Sequence, residues 1–81
     1  MAKIEIFTGP SCTYCETAKT MLRNHGLEFE DYDVSSEAAH LDEFRRRLPR
    51  TKAVPQIFVD GAHIGDIEDL RQYLATGMTS P

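Results

Sequence analysis

The sequence is short of several things. No apolar run approaches the roughly 20 residues of a membrane-spanning helix. The N-terminus, Met1 to Phe7, alternates from Lys3 onward and lacks the apolar stretch of a secretory signal. A membrane partner is therefore not expected, and the chain reads as cytoplasmic. Cysteine is scarce: Cys12 and Cys15 are the only two. Two cannot build the disulfide framework of a small secreted domain. Nor can they complete a four-ligand structural zinc site without a second cysteine pair or a His-x₃₋₅-His spacing. His25, His40 and His63 are scattered singly, so no metal role is expected of them. Basic charge is not in excess, because nine Lys and Arg against thirteen Asp and Glu leave −4, which argues against a nucleic-acid partner. There is no repeat, low-complexity tract or linker. The 81 residues fit one domain, 1–81, too small for a two-domain cleft, so a site must lie at its surface.

What is present reads as alternating elements. Hydrophobic residues make up 41 % and charged residues 27 % of the chain, as in a folded globular domain. Lys3 to Phe7 is a strand with Ile4 and Ile6 on one face. Thr8-Gly9-Pro10-Ser11 is a loop. Ala18, Met21, Leu22 and His25 recur at i, i+3, i+4, i+7, giving a helix over about Thr13 to His25 that Gly26 ends as a left-handed C′ residue. A second strand is expected over Leu27 to Val34, and Ser35 and Ser36 supply N-cap chemistry for a helix over Glu37 to Leu48, stopped by Pro49. Gln56 to Asp60 is a strand, and Asp60-Gly61 turns it into a hairpin with Ala62 to Gly65. Asp66 caps a last helix over Ile67 to Ala75, whose Glu68 and Asp69 suit the positive end of the dipole. Residues 76–81 are expected to be a frayed tail. The order is βαβαββα, with the first two strands made parallel by a right-handed crossover and an antiparallel hairpin closing the chain.

Cys12-Thr13-Tyr14-Cys15 follows a strand and a loop and opens a helix, the setting that separates a redox pair from incidental cysteines. Unpaired N–H groups and the dipole at the helix start stabilise a thiolate on Cys12, and such settings lower a thiol to about 3.5–7.5. Cys12 is thus the nucleophile. Cys15, one turn deeper, can reach back to resolve a mixed disulfide on Cys12. Val54-Pro55 opens the third strand, and a β-branched residue before such a proline suits a cis bond whose neighbouring backbone could pair with an extended ligand. Arg45, Arg46, Arg47, Arg50 and Lys52 gather five of the nine basic residues into eight positions. They form either a solvated helix face with its exit loop or an anchor for a small anion.

Together, Cys12-Thr13-Tyr14-Cys15, Ala53-Val54-Pro55-Gln56-Ile57-Phe58 and Gly65-Asp66-Ile67-Glu68-Asp69-Leu70 resemble a small bacterial dithiol glutaredoxin along nearly the whole chain. The resemblance implies an α/β, thioredoxin-like fold with a four-stranded mixed sheet of order 2-1-3-4 flanked by helices, a cis Pro55, and glutathione as co-substrate. It implies an oxidoreductase that reduces protein disulfides and protein–glutathione mixed disulfides, ribonucleotide reductase among its partners, and a monomer. For glutathione it implies contacts from Tyr14 in the groove, from Ala53, Val54 and Pro55 through the backbone, and from Ile67, Glu68 and Asp69 at the last helix, where a carboxylate would sit.

The sequence departs from that family in four places. Thr13 stands where the family usually has proline, as in variants whose dimers hold a [2Fe-2S] cluster through the Cys12 thiolates and glutathione; that cluster is one alternative. The usual lysine before the first cysteine is replaced within Gly9-Pro10-Ser11, which makes Lys52 the candidate anchor for the glycine carboxylate of glutathione. Asp66 replaces a glycine, either burdening an anion site or capping the helix, with the cap favoured. Ala53 replaces a threonine. A second alternative is an electron donor to ribonucleotide reductase fed by a thioredoxin reductase.

Overall fold

The computed structural model describes residues 3–76. Its elements are β1 (Ile4–Thr8), α1 (Thr13–Asn24), β2 (Glu30–Asp33), α2 (Ala38–Arg47), β3 (Gln56–Val59), β4 (Ala62–Gly65) and α3 (Ile67–Ala75). The sheet runs β2-β1-β3-β4, with β1 parallel to β2 and antiparallel to β3, and β4 antiparallel to β3. Fold and strand order are those expected, a thioredoxin-like α/β arrangement. Among the described residues, no helix is long and apolar enough to cross a membrane.

All five residues of β1 are buried, because helices cover both faces of the sheet. Alternation sends Ile4 and Ile6 to one side, where they join Ala18 and Leu22 of α1, Ile57 and Val59 of β3, and Ile67, Leu70 and Leu74 of α3. Phe7 goes to the other side and packs with Phe44 of α2 and Phe58 of β3, the ring centroids 5.3 and 5.8 Å away.

Glu5 shares that aromatic side and is as buried as its neighbours. A lone carboxylate there would be costly, and Arg47 at the end of α2 offsets it. The guanidinium donates to both Glu5 oxygens at 3.0 and 3.1 Å, and Tyr32 Oη donates to Oε2 at 3.0 Å. Its carbon lies 4.9 Å from the Phe58 centroid and 5.4 Å from that of Phe7. The Arg47 hydrogen bonds hold the Glu5 carboxyl below its ordinary range against the opposing effect of burial. Burial, and then Glu5, push Tyr32 up to about 12. Arg47 Nε also reaches Glu43 at 2.6 Å, and Arg46 pairs with the same Glu43, which is held down at about 2. Two of the five clustered cations are therefore consumed in pairs.

Three local expectations change. The second strand is shorter than Leu27–Val34 because Leu27 belongs to the end of α1: its N–H donates to Leu22 O at 3.0 Å and Gly26 N–H donates to Arg23 O at 2.9 Å, with Gly26 at φ 69°. This pair of bonds ends the helix and takes Leu27 out of the ladder. Ser35 and Ser36 do not cap α2. Asp33 captures them, its Oδ1 accepting Ser35 N–H at 2.8 Å and the Ser35 hydroxyl at 2.6 Å, while its carbonyl accepts the Ser36 hydroxyl at 3.0 Å. The N-cap is Glu37, which makes no side-chain cap bond, and α2 runs only from Ala38 to Arg47, with Leu48 as its C-cap. Thr76, expected in a frayed tail, closes α3 with its N–H on Gln72 O at 3.1 Å and its hydroxyl on Tyr73 O at 2.7 Å. The remainder of that expected tail, 77–81, lies outside the described residues.

Candidate active site

β1 ends at Thr8 in the middle of the sheet and delivers the chain over Gly9, Pro10 and Ser11 to the start of α1. Ser11 takes φ 52°, a left-handed conformation uncommon outside glycine. The turn sets Cys12 at the N-cap with φ −102° and ψ 103°. Its Sγ accepts the Cys15 N–H at 3.1 Å, where a capping oxygen ordinarily sits. Cys12 and Cys15 are joined as a disulfide. The two sulfurs differ in access, since Cys15 is 1 % exposed and packed in the core while Cys12 is partly exposed. Tyr14 between them is 66 % exposed.

The Val54–Pro55 bond is cis, and it brings the Val54 carbonyl to 3.8 Å from Cys12 Sγ. With no proton on a disulfide sulfur, this is a contact rather than a hydrogen bond. Among the described residues the Val54 N–H has no partner. The neighbouring peptide is occupied: Ala53 N–H donates to Thr51 Oγ1 at 3.2 Å, and Gln56 Nε2 donates to Ala53 O at 3.1 Å. Gln56 Oε1 in turn meets His63 Nε2 at 2.8 Å. Val54 thus presents a free backbone N–H beside Cys12 Sγ, able to pair with an extended chain.

Asp66 begins α3 as the sequence suggested. Its Oδ1 accepts Glu68 and Asp69 N–H at 3.0 and 3.2 Å, and Asp69 Oδ2 accepts Asp66 N–H at 3.1 Å, a reciprocal capping box. The Asp69 N–H bond holds the Asp66 carboxyl below its usual range. Gly65 makes room for the box: at φ 130°, a Cβ there would overlap the Asp69 carboxylate. Of the residues expected here, Glu68 and Asp69 have their N–H groups occupied, and only that of Ile67 is without a partner among the described residues.

The structure gathers Cys12, Cys15, Val54 and Pro55 at one point, with Lys52 two residues before Val54, exposed and unpaired. Two contributors went unread in the sequence. Glu16, four residues after Cys12 and hence on its helix face, helps line a shallow cavity of about 410 Å³ with Gly9, Ser11, Cys12 and Thr13. Lys19 bridges Glu16 at 2.8 Å and Asp31 of β2 at 2.9 Å, which neutralises that acid beside the sulfur. The i, i+3 spacing of Glu16 and Lys19 was the available signal. Gly9 lies against Val54, whose Cγ2 would stand 3.3 Å from a Cβ at Gly9.

Comparison with known proteins agrees with this geometry. The glutaredoxin family model matches residues 4–64. Over 81 residues, all of this chain and 96 % of the relative, the chain is 41 % identical to Glutaredoxin 3 of Escherichia coli (strain K12). A solution structure of glutaredoxin from Brucella melitensis, 35 % identical, superposes with a TM-score of 0.74 over 95 % of this chain and 83 % of that one. A buckwheat glutaredoxin–glutathione complex shares the fold at 20 % identity, with a TM-score of 0.81 over 94 % of this chain and 71 % of that one. A redox pair at a helix start, a free backbone edge beside it and these likenesses lead to one conclusion: the chain is a thiol–disulfide oxidoreductase and belongs to the glutaredoxin family.

Proposed function

We propose that the chain is a glutathione-dependent oxidoreductase in which Cys12 attacks and Cys15 resolves. One observation carries the reading: the partly exposed Cys12 Sγ sits on the Cys15 N–H at the start of α1, whereas Cys15 is buried. In the reduced protein, that N–H and the helix dipole stabilise negative charge on Cys12. The Cys12 thiolate attacks one sulfur of a substrate disulfide, a Cys12–substrate disulfide forms, and the other substrate sulfur leaves as a thiolate. The Cys15 thiolate then attacks Cys12 Sγ, closing the Cys12–Cys15 bond and releasing the second substrate sulfur. Two glutathione thiols reduce that bond through a mixed disulfide on Cys12 and leave as glutathione disulfide. When the substrate is itself a glutathione mixed disulfide, a second glutathione replaces Cys15 as the resolving thiol.

Glutathione would pair its cysteine backbone with Val54 beside Pro55 and Ala53, lie against Tyr14, and meet Lys52 with its glycine carboxylate. The γ-glutamyl carboxylate would approach Ile67, Glu68 and Asp69. There Asp66 holds two of the three N–H groups, so the incoming carboxylate either uses Ile67 N–H or displaces Asp66. On this reading the chain is a single-domain cytoplasmic monomer serving disulfide-bearing and glutathionylated proteins, ribonucleotide reductase among them.

The test is turnover of a glutathione mixed disulfide by wild type and Cys15→Ser, with glutathione, NADPH and glutathione reductase. Both proteins should be active. Inactivity of both would overturn glutathione dependence.

A further inference from the structure

The basic run at residues 45–52 is not used up by this mechanism, and the structure divides it. Arg46 and Arg47 are bound to Glu43 and Glu5. Lys3, Lys19 and Arg71 also have carboxylate partners, and Arg23 lies over the Phe29 ring. Among the described residues, the side chains of Arg45, Arg50 and Lys52 are left with no hydrogen bond, ion pair or ring contact, and all three are exposed. In a chain of net charge −4, every unpaired Lys or Arg side chain among the described residues therefore falls in one eight-residue stretch.

Arg50 and Lys52 stand four and two residues before Val54, on the segment that leads directly to the free backbone edge beside Cys12. That segment is held in place. Thr51 N–H donates to Leu48 O at 3.4 Å, and Ala53 is bound at both its N–H and its carbonyl. Next to it is a shallow cavity of about 370 Å³ lined by Arg47, Leu48, Pro49, Arg50 and Thr51. Charge of the opposite sign collects at the start of α3, in Asp66, Glu68 and Asp69. A chain paired along Val54 would place residues a few positions from its cysteine over Arg50 and Lys52, at about 3.3 Å per residue.

We infer that Arg50 and Lys52, with the adjoining cavity, form a docking surface for acidic polypeptide flanking the target disulfide. The protein thereby selects disulfides whose cysteine has Asp or Glu two to four residues away. The inference rests on Cys12 as the attacking sulfur and not on glutathione as the reductant. Exposed pairs of this kind are individually weak, so the expected preference is about fivefold and salt-sensitive.

The test is single-turnover reduction by pre-reduced full-length protein, without glutathione, of symmetric disulfides of short peptides. The central cysteine is flanked on both sides by Asp, by Lys or by Ser, and hydroxyethyl disulfide serves as the uncharged small substrate. At low salt the Asp peptide should react about fivefold faster than the Lys peptide, and the difference should vanish in about 1 M salt. Arg50→Glu should erase or reverse the order while leaving hydroxyethyl disulfide unchanged. Arg23→Glu, with the same change in net charge at the far end of α1, should keep the wild-type order. Equal rates for the Asp and Lys peptides, or equal effects of Arg50→Glu and Arg23→Glu, would overturn the docking surface while leaving Cys12 chemistry intact. A clear preference in a protein that fails the glutathione-coupled assay would uphold the surface and overturn glutathione dependence alone.

Discussion

Among the described residues three helices pack on one sheet, and they are secured in different ways. α1 and α3 are pinned at their N-termini, where a side chain accepts the first-turn N–H groups: Cys12 Sγ in α1 and Asp66 Oδ1 in α3. α2 has no side-chain cap and is held at its other end, where Arg47 binds Glu5 across the aromatic side of the sheet. The same unpaired donors that any helix start offers are thus met by a reactive sulfur in one case and by a fixed carboxylate in the other. The contrast teaches why the chemistry resides at α1. A sulfur can leave its disulfide and carry charge under those donors, whereas the Asp66 carboxylate is charged already and has no bond to exchange.

The sharpest way to break that comparison is Cys12→Ser, which keeps a capping atom but removes the nucleophile. Disulfide exchange should fall to the uncatalysed rate in any coupled assay, while thermal unfolding of the reduced protein changes little. Cys15→Ser should lose the dithiol route and keep deglutathionylation.

For α2, Arg47→Ala should cost about 3 kcal/mol in denaturant unfolding, because it strands the buried Glu5 carboxylate. Paired substitution of Glu5 and Arg47 by apolar residues should cost less than Arg47→Ala alone. The same network sets the pH response. Glu5 is held below its ordinary range in the folded state, so its contribution is present above the unfolded value and is lost as pH falls through the folded one. Tyr32 is raised from about 10 to about 12, so its contribution is present below the former and is lost as pH rises through the latter. Unfolding followed against pH should show both limbs in wild type, with the acid limb reduced in Arg47→Ala.

For α3, Asp66→Ala should destabilise by about 1 kcal/mol and Asp66→Gly by a few tenths, as at other N-caps. If glutathione enters as proposed, Asp66→Gly should also lower its KM by freeing two N–H groups. An unchanged KM would show that glutathione binds without them. A small gain is expected at α2, where Glu37→Asp should add the missing cap and stabilise by about 0.5 kcal/mol in the same unfolding measurement.

Much of the fold was legible because it rests on local chemistry. Gly26 ends α1, Asp60 and Gly61 turn the hairpin at φ 50° and 84°, and Asp66 starts α3. The expectation failed where a neighbour outcompeted a local preference. Ser35 and Ser36 are good cap residues, but Asp33 offers them an acceptor two and three residues back, so they are spent in the turn. Leu27 has a strand pattern, but its N–H closes α1. At the site, the placement of Cys12, Cys15 and the Val54–Pro55 step was visible in sequence because a cysteine pair at a helix start and a β-branched residue before a strand-opening proline are recognisable from type and position.

By itself the sequence determined the element order and the redox pair, since these follow from periodicity, spacing and the strand-loop-helix setting of the two cysteines. Only the tertiary structure decided which charges are free. Glu5 and Arg47 are 42 positions apart and become partners because adjacent layers place them across the aromatic core. Arg50 and Lys52 carry the same single positive charge as Arg46 and Arg47, yet their side chains remain unpaired because the chain leaves α2 before them and turns toward Cys12. Coulomb attraction depends on distance in space, and the distance between residues remote in sequence is set by packing alone.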